Sequence, residues 1–131
     1  MDEEGIGYEK FIKVYHKGEL VFEENSSGSE MYIVASGRVK LYSTSEKGRR
    51  TVLAVLKPGE HFGEMALVDS SPRSATAMAT QDNTRLVALD KPKFLYLVRQ
   101  QPIFAFTIME TLSKRLREAN AQLAEAKAHR R

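Results

Sequence analysis

The chain has 131 residues, 42% hydrophobic and 28% charged, with 20 Lys and Arg against 17 Asp and Glu for a net charge of +3. That suits a single globular domain burying about two-thirds of the surface its unfolded chain exposes, and the mild, dispersed positive charge does not argue for nucleic-acid binding. There is no apolar run of bilayer length, no secretory signal in the acidic start Met-Asp-Glu-Glu-Gly, and no cysteine for a disulfide or thiolate metal site, which fits a reducing cytoplasm.

Glycines at 18, 28, 37, 48 and 59 punctuate the first half at intervals of nine to eleven residues. The runs between them, at 20–22, 31–34, 39–42 and 51–56, are short and rich in Val, Ile, Leu and Tyr, as antiparallel strands joined by tight turns are. Residues 43–50 read as a polar hairpin tip. Further on, 74–80 and 85–89 make two more strands, split by Gln81-Asp82-Asn83. The pattern is that of a small jelly-roll-like β-roll over residues of about 14–90.

The period then changes. Asp90-Lys91-Pro92 is a helix-entry signal, with Asp90 as cap and proline in the first turn. A short helix is expected at 93–100, and Pro102 opens a long one to about residue 128. Phe104, Phe106 and Ile108 are expected to pack on the roll. Ala105, Met109, Leu112, Leu116, Ala119, Leu123 and Ala126 alternate spacings of four and three, a heptad seam that predicts pairing with a second copy. The basic clusters Lys47/Arg49/Arg50, Lys114/Arg115/Arg117 and Lys127/Arg130/Arg131 read as solvated faces, Arg115 excepted.

The chemistry concentrates in residues 62–77, Phe-Gly-Glu-Met-Ala-Leu-Val-Asp-Ser-Ser-Pro-Arg-Ser-Ala-Thr-Ala. Gly63 lets the backbone approach an anion closely. Met65, Ala66 and Leu67 are good helix formers, so Gly63 would open a short helical turn with unpaired N–H groups. Arg73, nine residues after Glu64, offers a planar cation suited to phosphate oxygens. Glu64 would repel a phosphate and suits a hydroxyl donor such as a ribose OH. A structural ion pair between Glu64 and Arg73 at a loop neck is the competing reading.

This run resembles the phosphate-binding cassette of cyclic-nucleotide-binding domains, the sensor type of catabolite activator proteins, cAMP-dependent kinase regulatory subunits and cyclic-nucleotide-gated channels. The resemblance extends from about Val14 to about Asn120. It includes Lys17-Gly18-Glu19-Leu20-Val21-Phe22, Met31-Tyr32-Ile33-Val34, Ser36-Gly37-Arg38-Val39 and Lys57-Pro58-Gly59-Glu60-His61-Phe62-Gly63-Glu64.

It implies a single domain over 1–131 that binds a 3′,5′-cyclic mononucleotide as a regulatory module. Arg73 would pair with the cyclic phosphate, with Ser74 and the N–H groups of Met65, Ala66 and Ser74 as further donors. Glu64 would accept from the ribose 2′-OH. Val39, Leu53, Phe62 and Met65 would wall the base, although each taken alone reads as core. The long helix would supply a lid through Arg115, Ala119 and Asn120. Ala119 and Asn120 depart from the two adjacent hydroxyl residues of catabolite activators, so the base preference leans only weakly to adenine, with cGMP as the alternative. A DNA-binding helix-turn-helix follows this helix in catabolite activators. Here the chain is expected to make no direct DNA contact, and to be either a free-standing domain or the sensor part of a longer regulator.

Two other functional classes compete. A cupin-type metalloenzyme needs a histidine-rich set on its strands, and His16, His61 and His129 lack metal-site spacing. His61 reads as a strand-end surface residue and His129 as tail. No nucleophile arrangement or paired carboxylates stand out, so neither an enzyme nor a metal or other cofactor is expected. A dimerisation module with a vestigial pocket is disfavoured by the presence of both Glu64 and Arg73.

Overall fold

In the computed structural model of the chain, residues 8–129 are described. A 3₁₀ turn at Tyr8–Phe11 leads into eight strands: β1 Ile12–Tyr15, β2 Leu20–Phe22, β3 Met31–Ser36, β4 Val39–Thr44, β5 Arg50–Leu56, β6 His61–Phe62, β7 Thr76–Ala79 and β8 Thr84–Leu89. A short helix α1, Glu64–Asp69, separates β6 from β7, and α2 (Lys91–Gln100) and α3 (Ile103–Ala128) end the chain. The chain forms two compact units, one through Tyr96 and one from Leu97 onward.

The first unit holds two four-stranded antiparallel sheets, ordered β1-β8-β3-β6 and β2-β7-β4-β5. This is the mainly β, jelly-roll-like architecture expected, followed by a long helix. The core draws Tyr32, Val34, Phe62, Leu86 and Ala88 from the first sheet and Val39, Leu56 and Ala77 from the second. β3 is buried along Met31–Val34 rather than alternating. A strand covered on both faces carries a continuous apolar run, and Met-Tyr-Ile-Val is one.

Turn chemistry fixes the joins. Gly37 between β3 and β4 has φ +86°, and a Cβ there would collide with Thr84 Oγ1 and come within 2.8 Å of Thr84 Cα. The β4–β5 tip is narrower than expected, with Ser45 N donating to Arg49 O at 2.8 Å. Two short strands lie outside the expected set. β1 pairs with β8 and β6 with β3; β1 lies ahead of Gly18, the first of the punctuating glycines, and the two residues of β6 carry no period. The strand expected at 74–80 is confined to Thr76–Ala79.

Asp90 caps α2 as expected, its Oδ1 accepting from Lys93 N at 3.0 Å. In α3, Phe104 and Ile108 are buried but Phe106 is exposed, a correction to the expected inward trio. At about 100° per residue, position 106 lies roughly opposite 104, whereas 108 returns to the same side. Met109, Leu112, Leu116 and Leu123 are exposed.

Candidate functional site

Three stretches of the β-roll converge on Arg73: the 23–30 loop between β2 and β3, the β6–α1 junction, and the 70–75 segment. Backbone bonds lock the first to the third. Asn25 N donates to Arg73 O at 2.7 Å and Arg73 N to Ser26 O at 2.9 Å, while Glu24 N donates to Thr76 Oγ1 at 3.0 Å. The backbone of Arg73 is thereby held as if in a ladder, although no strand extends to it.

Its side chain turns inward and is only 5% exposed. Nη1 donates to Gly63 O at 3.1 Å and Nη2 to Glu30 O at 2.8 Å. The guanidinium lies 4.1 Å from the centroid of the Phe22 ring and 5.8 Å from that of Tyr32. Those rings form a cluster, with Tyr32 stacked on Phe62 at 5.3 Å and Phe22 tilted against both. Two of the five guanidinium N–H groups thus have carbonyl partners, and the buried Nε has no partner among the described residues. No carboxylate pairs with Arg73 among the described residues, so the ion pair with Glu64 is not made. Burial pushes its pKa below the usual guanidinium value.

Gly63 sits as expected at the start of α1, in a left-handed conformation with φ 81° and ψ 9°. A Cβ at this position would lie 2.8 Å from Arg73 Nη1. Glycine here serves both the turn and the close passage of the arginine. Glu64 follows in the first turn of α1 with its side chain mostly covered, and His61 Nδ1 lies 3.5 Å from its Oε1. Ala66 is the buried residue of α1.

The other expected site residues separate into groups. Val39 and Phe62 are core, as expected of each taken alone. Leu53 and Met65 are not core; they are 56% and 54% exposed. Leu53 is the extra residue of a bulge, because Leu41 pairs with Ala54 and Tyr42 with Val52. Bulges re-aim side chains, and a single sequence does not announce one. Met65 projects from the first turn of α1. Ser74 is exposed beside Arg73. Arg115 is partly buried and Ala119 and Asn120 are exposed on α3, in the second unit.

Sequence reasoning misplaced His61, which is buried at 1% exposure rather than on the surface. It also passed over Gly28 and Glu30. A Cβ on Gly28 would overlap Arg73 Nη2 and lie 2.6 Å from Nε. Glu30 supplies its carbonyl to Arg73, while its carboxylate accepts from Lys13 Nζ at 2.9 Å and from the Tyr32 hydroxyl at 3.1 Å. Gly28 was visible as a turn glycine in Ser-Ser-Gly-Ser. Nothing local shows which side chain it makes room for.

Residues 12–101 match the family described as the cyclic nucleotide-binding domain. The chain belongs to that family. A cyclic AMP receptor protein of Thermus thermophilus is 42% identical over 111 residues, which are 85% of this chain and 51% of that protein. The crystal structure of a Thermus thermophilus catabolite activator protein superposes with a TM-score of 0.81 at 40% identity, covering 92% of this chain and 57% of that one. An EAL enzyme solved with cAMP bound also carries the fold, with a TM-score of 0.61 at 37% identity over 86% of this chain and 30% of that one. The domain therefore occurs both in a cyclic AMP receptor protein and in an EAL enzyme. The chain spans about half the length of the curated relatives it matches. Among the described residues no helix is long and apolar enough to cross a membrane, and no cluster of His, Asp and Glu is fit to hold a metal.

Proposed function

We propose that this cyclic nucleotide-binding domain is a regulatory sensor for a 3′,5′-cyclic purine nucleotide, cAMP in preference to cGMP. The observation that carries the reading is Arg73, a buried cation with an unpaired Nε and no carboxylate partner among the described residues. A buried charge is costly unless paired and hydrogen-bonded. Two carbonyl dipoles and an aromatic face hold this one but leave donors over, and the cyclic phosphate supplies the missing anion. Ser74 and the N–H groups of Met65 and Ala66 are further donors. Glu64 accepts from the ribose 2′-OH, the single free hydroxyl of the ribose in such a ligand.

Val39 and Phe62 give the base an apolar floor, and Leu53 and Met65, both exposed, wall it from the sides. Arg115, Ala119 and Asn120 on α3 close over base and ribose, so ligand binding favours one arrangement of roll and helix. α3 pairs with its copy in a homodimer through Leu112, Leu116 and Leu123, with Ala119 and Ala126 allowing close approach. The domain is the sensing part of a longer regulator, a reading supported by the half-length match to its relatives.

Titration calorimetry with cAMP and cGMP on the parent and on Arg73→Ala tests the proposal. The variant should lose about 2–4 kcal/mol of binding, the scale for removing one partner of a desolvated charge pair. A folded variant that binds as tightly as the parent refutes the site. Displacement of cAMP by equal or lower concentrations of cGMP refutes the base preference.

A further inference from the structure

We infer that Glu30 is a positioning residue for Arg73: Lys13 and Tyr32 hold its carboxylate, and that hold fixes the carbonyl on which one arm of the guanidinium rests. The inference deepens the cyclic-nucleotide reading given above and rests on it. Arg73 Nη2 donates to Glu30 O at 2.8 Å. Glu30 ends the 23–30 loop, directly before β3, whose first residue Met31 pairs with Leu89 of β8. The bonds that tie this loop to the 70–75 segment, at Asn25 and Ser26, lie near its front. Gly28, of the residue type with the widest backbone freedom, stands between them and Glu30. A carbonyl at the far end of such a loop needs a hold of its own.

The side chain of Glu30 supplies one. Its Oε1 accepts from Lys13 Nζ at 2.9 Å and from the Tyr32 hydroxyl at 3.1 Å. Both donors stand on the sheet framework. Lys13 lies on β1 in register with Leu86 of β8, and Tyr32 on β3 in register with Ala88 of β8. Tyr32 is the firmer of the two, being buried with its ring stacked on Phe62. The same ring lies 5.8 Å from the Arg73 guanidinium. Arg73, the Glu30 carbonyl, the Glu30 carboxylate and Tyr32 thus close a circuit around the cation. Lys13 is half-exposed, and an ion pair so placed adds little to the fold. Its effect is local: a carbonyl already held in place leaves the guanidinium less to order when a phosphate arrives.

The test is a double-mutant cycle on the whole chain, read as calorimetric affinity for cAMP. Glu30→Ala removes the carboxylate but keeps the backbone carbonyl. It should weaken binding by about three- to tenfold, the scale of one net hydrogen bond. Glu30→Gln keeps an acceptor for both donors and should recover most of that loss. Arg73→Lys keeps a cation but lacks the arm that reaches the Glu30 carbonyl. In that background Glu30→Ala should change affinity by less than about twofold, because non-interacting sites add. Should Glu30→Ala not fold, Lys13→Met at its half-exposed position carries the same comparison, with a loss of about two- to fivefold expected from a pair of this kind. Unchanged affinity in Glu30→Ala and Lys13→Met, or an equal loss with Arg73 and with Arg73→Lys, overturns the inference. If Arg73→Lys alone still weakens binding, the nucleotide site stands without it. A parent that binds no cAMP overturns both.

Discussion

Gly28→Ala is a small change with a large expected consequence for binding. The φ of Gly28 lies outside the left-handed region, so alanine meets no backbone strain there. Its methyl, however, would overlap Arg73 Nη2 and stand 2.6 Å from Nε and 2.8 Å from Cζ. Ordinary contact needs about 3.5 Å or more, so the guanidinium must retreat by roughly 1 Å. The bonds to Glu30 O and Gly63 O, at 2.8 and 3.1 Å, cannot both survive that shift, and each hydrogen bond to a charged group is worth about 1.5–3 kcal/mol. The group that yields is the end of a flexible side chain, so the loss to the fold should stay near that of one such bond, about 1.5–3 kcal/mol. Binding suffers as well, because the cation is moved off its anion. We expect affinity for cAMP to fall about 10- to 100-fold, or about 1.4–2.8 kcal/mol. Calorimetry for affinity and thermal melts for the fold read the two effects separately, with the exposed neighbour change Ser27→Ala as control. Gly28→Ala binding within twofold of the parent, at an unchanged melting temperature, would show that Arg73 does not need the space glycine leaves.

The exposed leucines of α3 predict a homodimer. Leu116→Glu with Leu123→Glu should give monomers by light scattering and weaken nucleotide binding, since burying each leucine is worth about 1.5–3 kcal/mol; a parent that stays monomeric at high micromolar concentration, with or without ligand, removes the idea. Stability should also decline in alkali. Burial raises the phenol pKa values of Tyr32 and Tyr15 above 10.0, and the bond to Glu30 raises that of Lys13 above 10.5. All three groups hold their protons more tightly folded than unfolded, so their stabilisation is whole below about pH 10 and is lost as the pH climbs from there through the folded-state values. Melting temperatures recorded from pH 8 upward should bend down near pH 10, with a shallower bend in Tyr32→Phe. An identical bend in the variant would exclude Tyr32 as its source.

Much of this protein is legible one residue at a time. Positive-φ glycines, strand-length apolar runs and the Asp90–Pro92 entry signal act through local chemistry. They placed most of the strands, the turn into α1, and the start of α3 within a residue. The candidate site was readable in part for the same reason: the short stretch 62–77 brings Gly63, Glu64 and Arg73 together, and local sequence opens α1 at Gly63. What lay beyond reach depends on partners distant in the chain. His61 is polar at the end of a two-residue strand, and its burial comes from the way β6 joins β3 and the chain doubles back at Gly63. Leu53 and Met65 look like core and are exposed, one re-aimed by a bulge and the other thrown outward from the first turn of α1.

Arg73 joins the two levels. Its presence and its distance along the chain from Glu64 are written in the sequence and suffice to suggest an anion. Its lack of a carboxylate partner among the described residues, and its support by the carbonyls of Gly63 and Glu30 over the Phe22 ring, were decided by tertiary structure alone. Hydrogen bonds of a guanidinium to backbone carbonyls depend on where chains cross in space. The sequence carries no side-chain signature for them, since every residue has a carbonyl to offer.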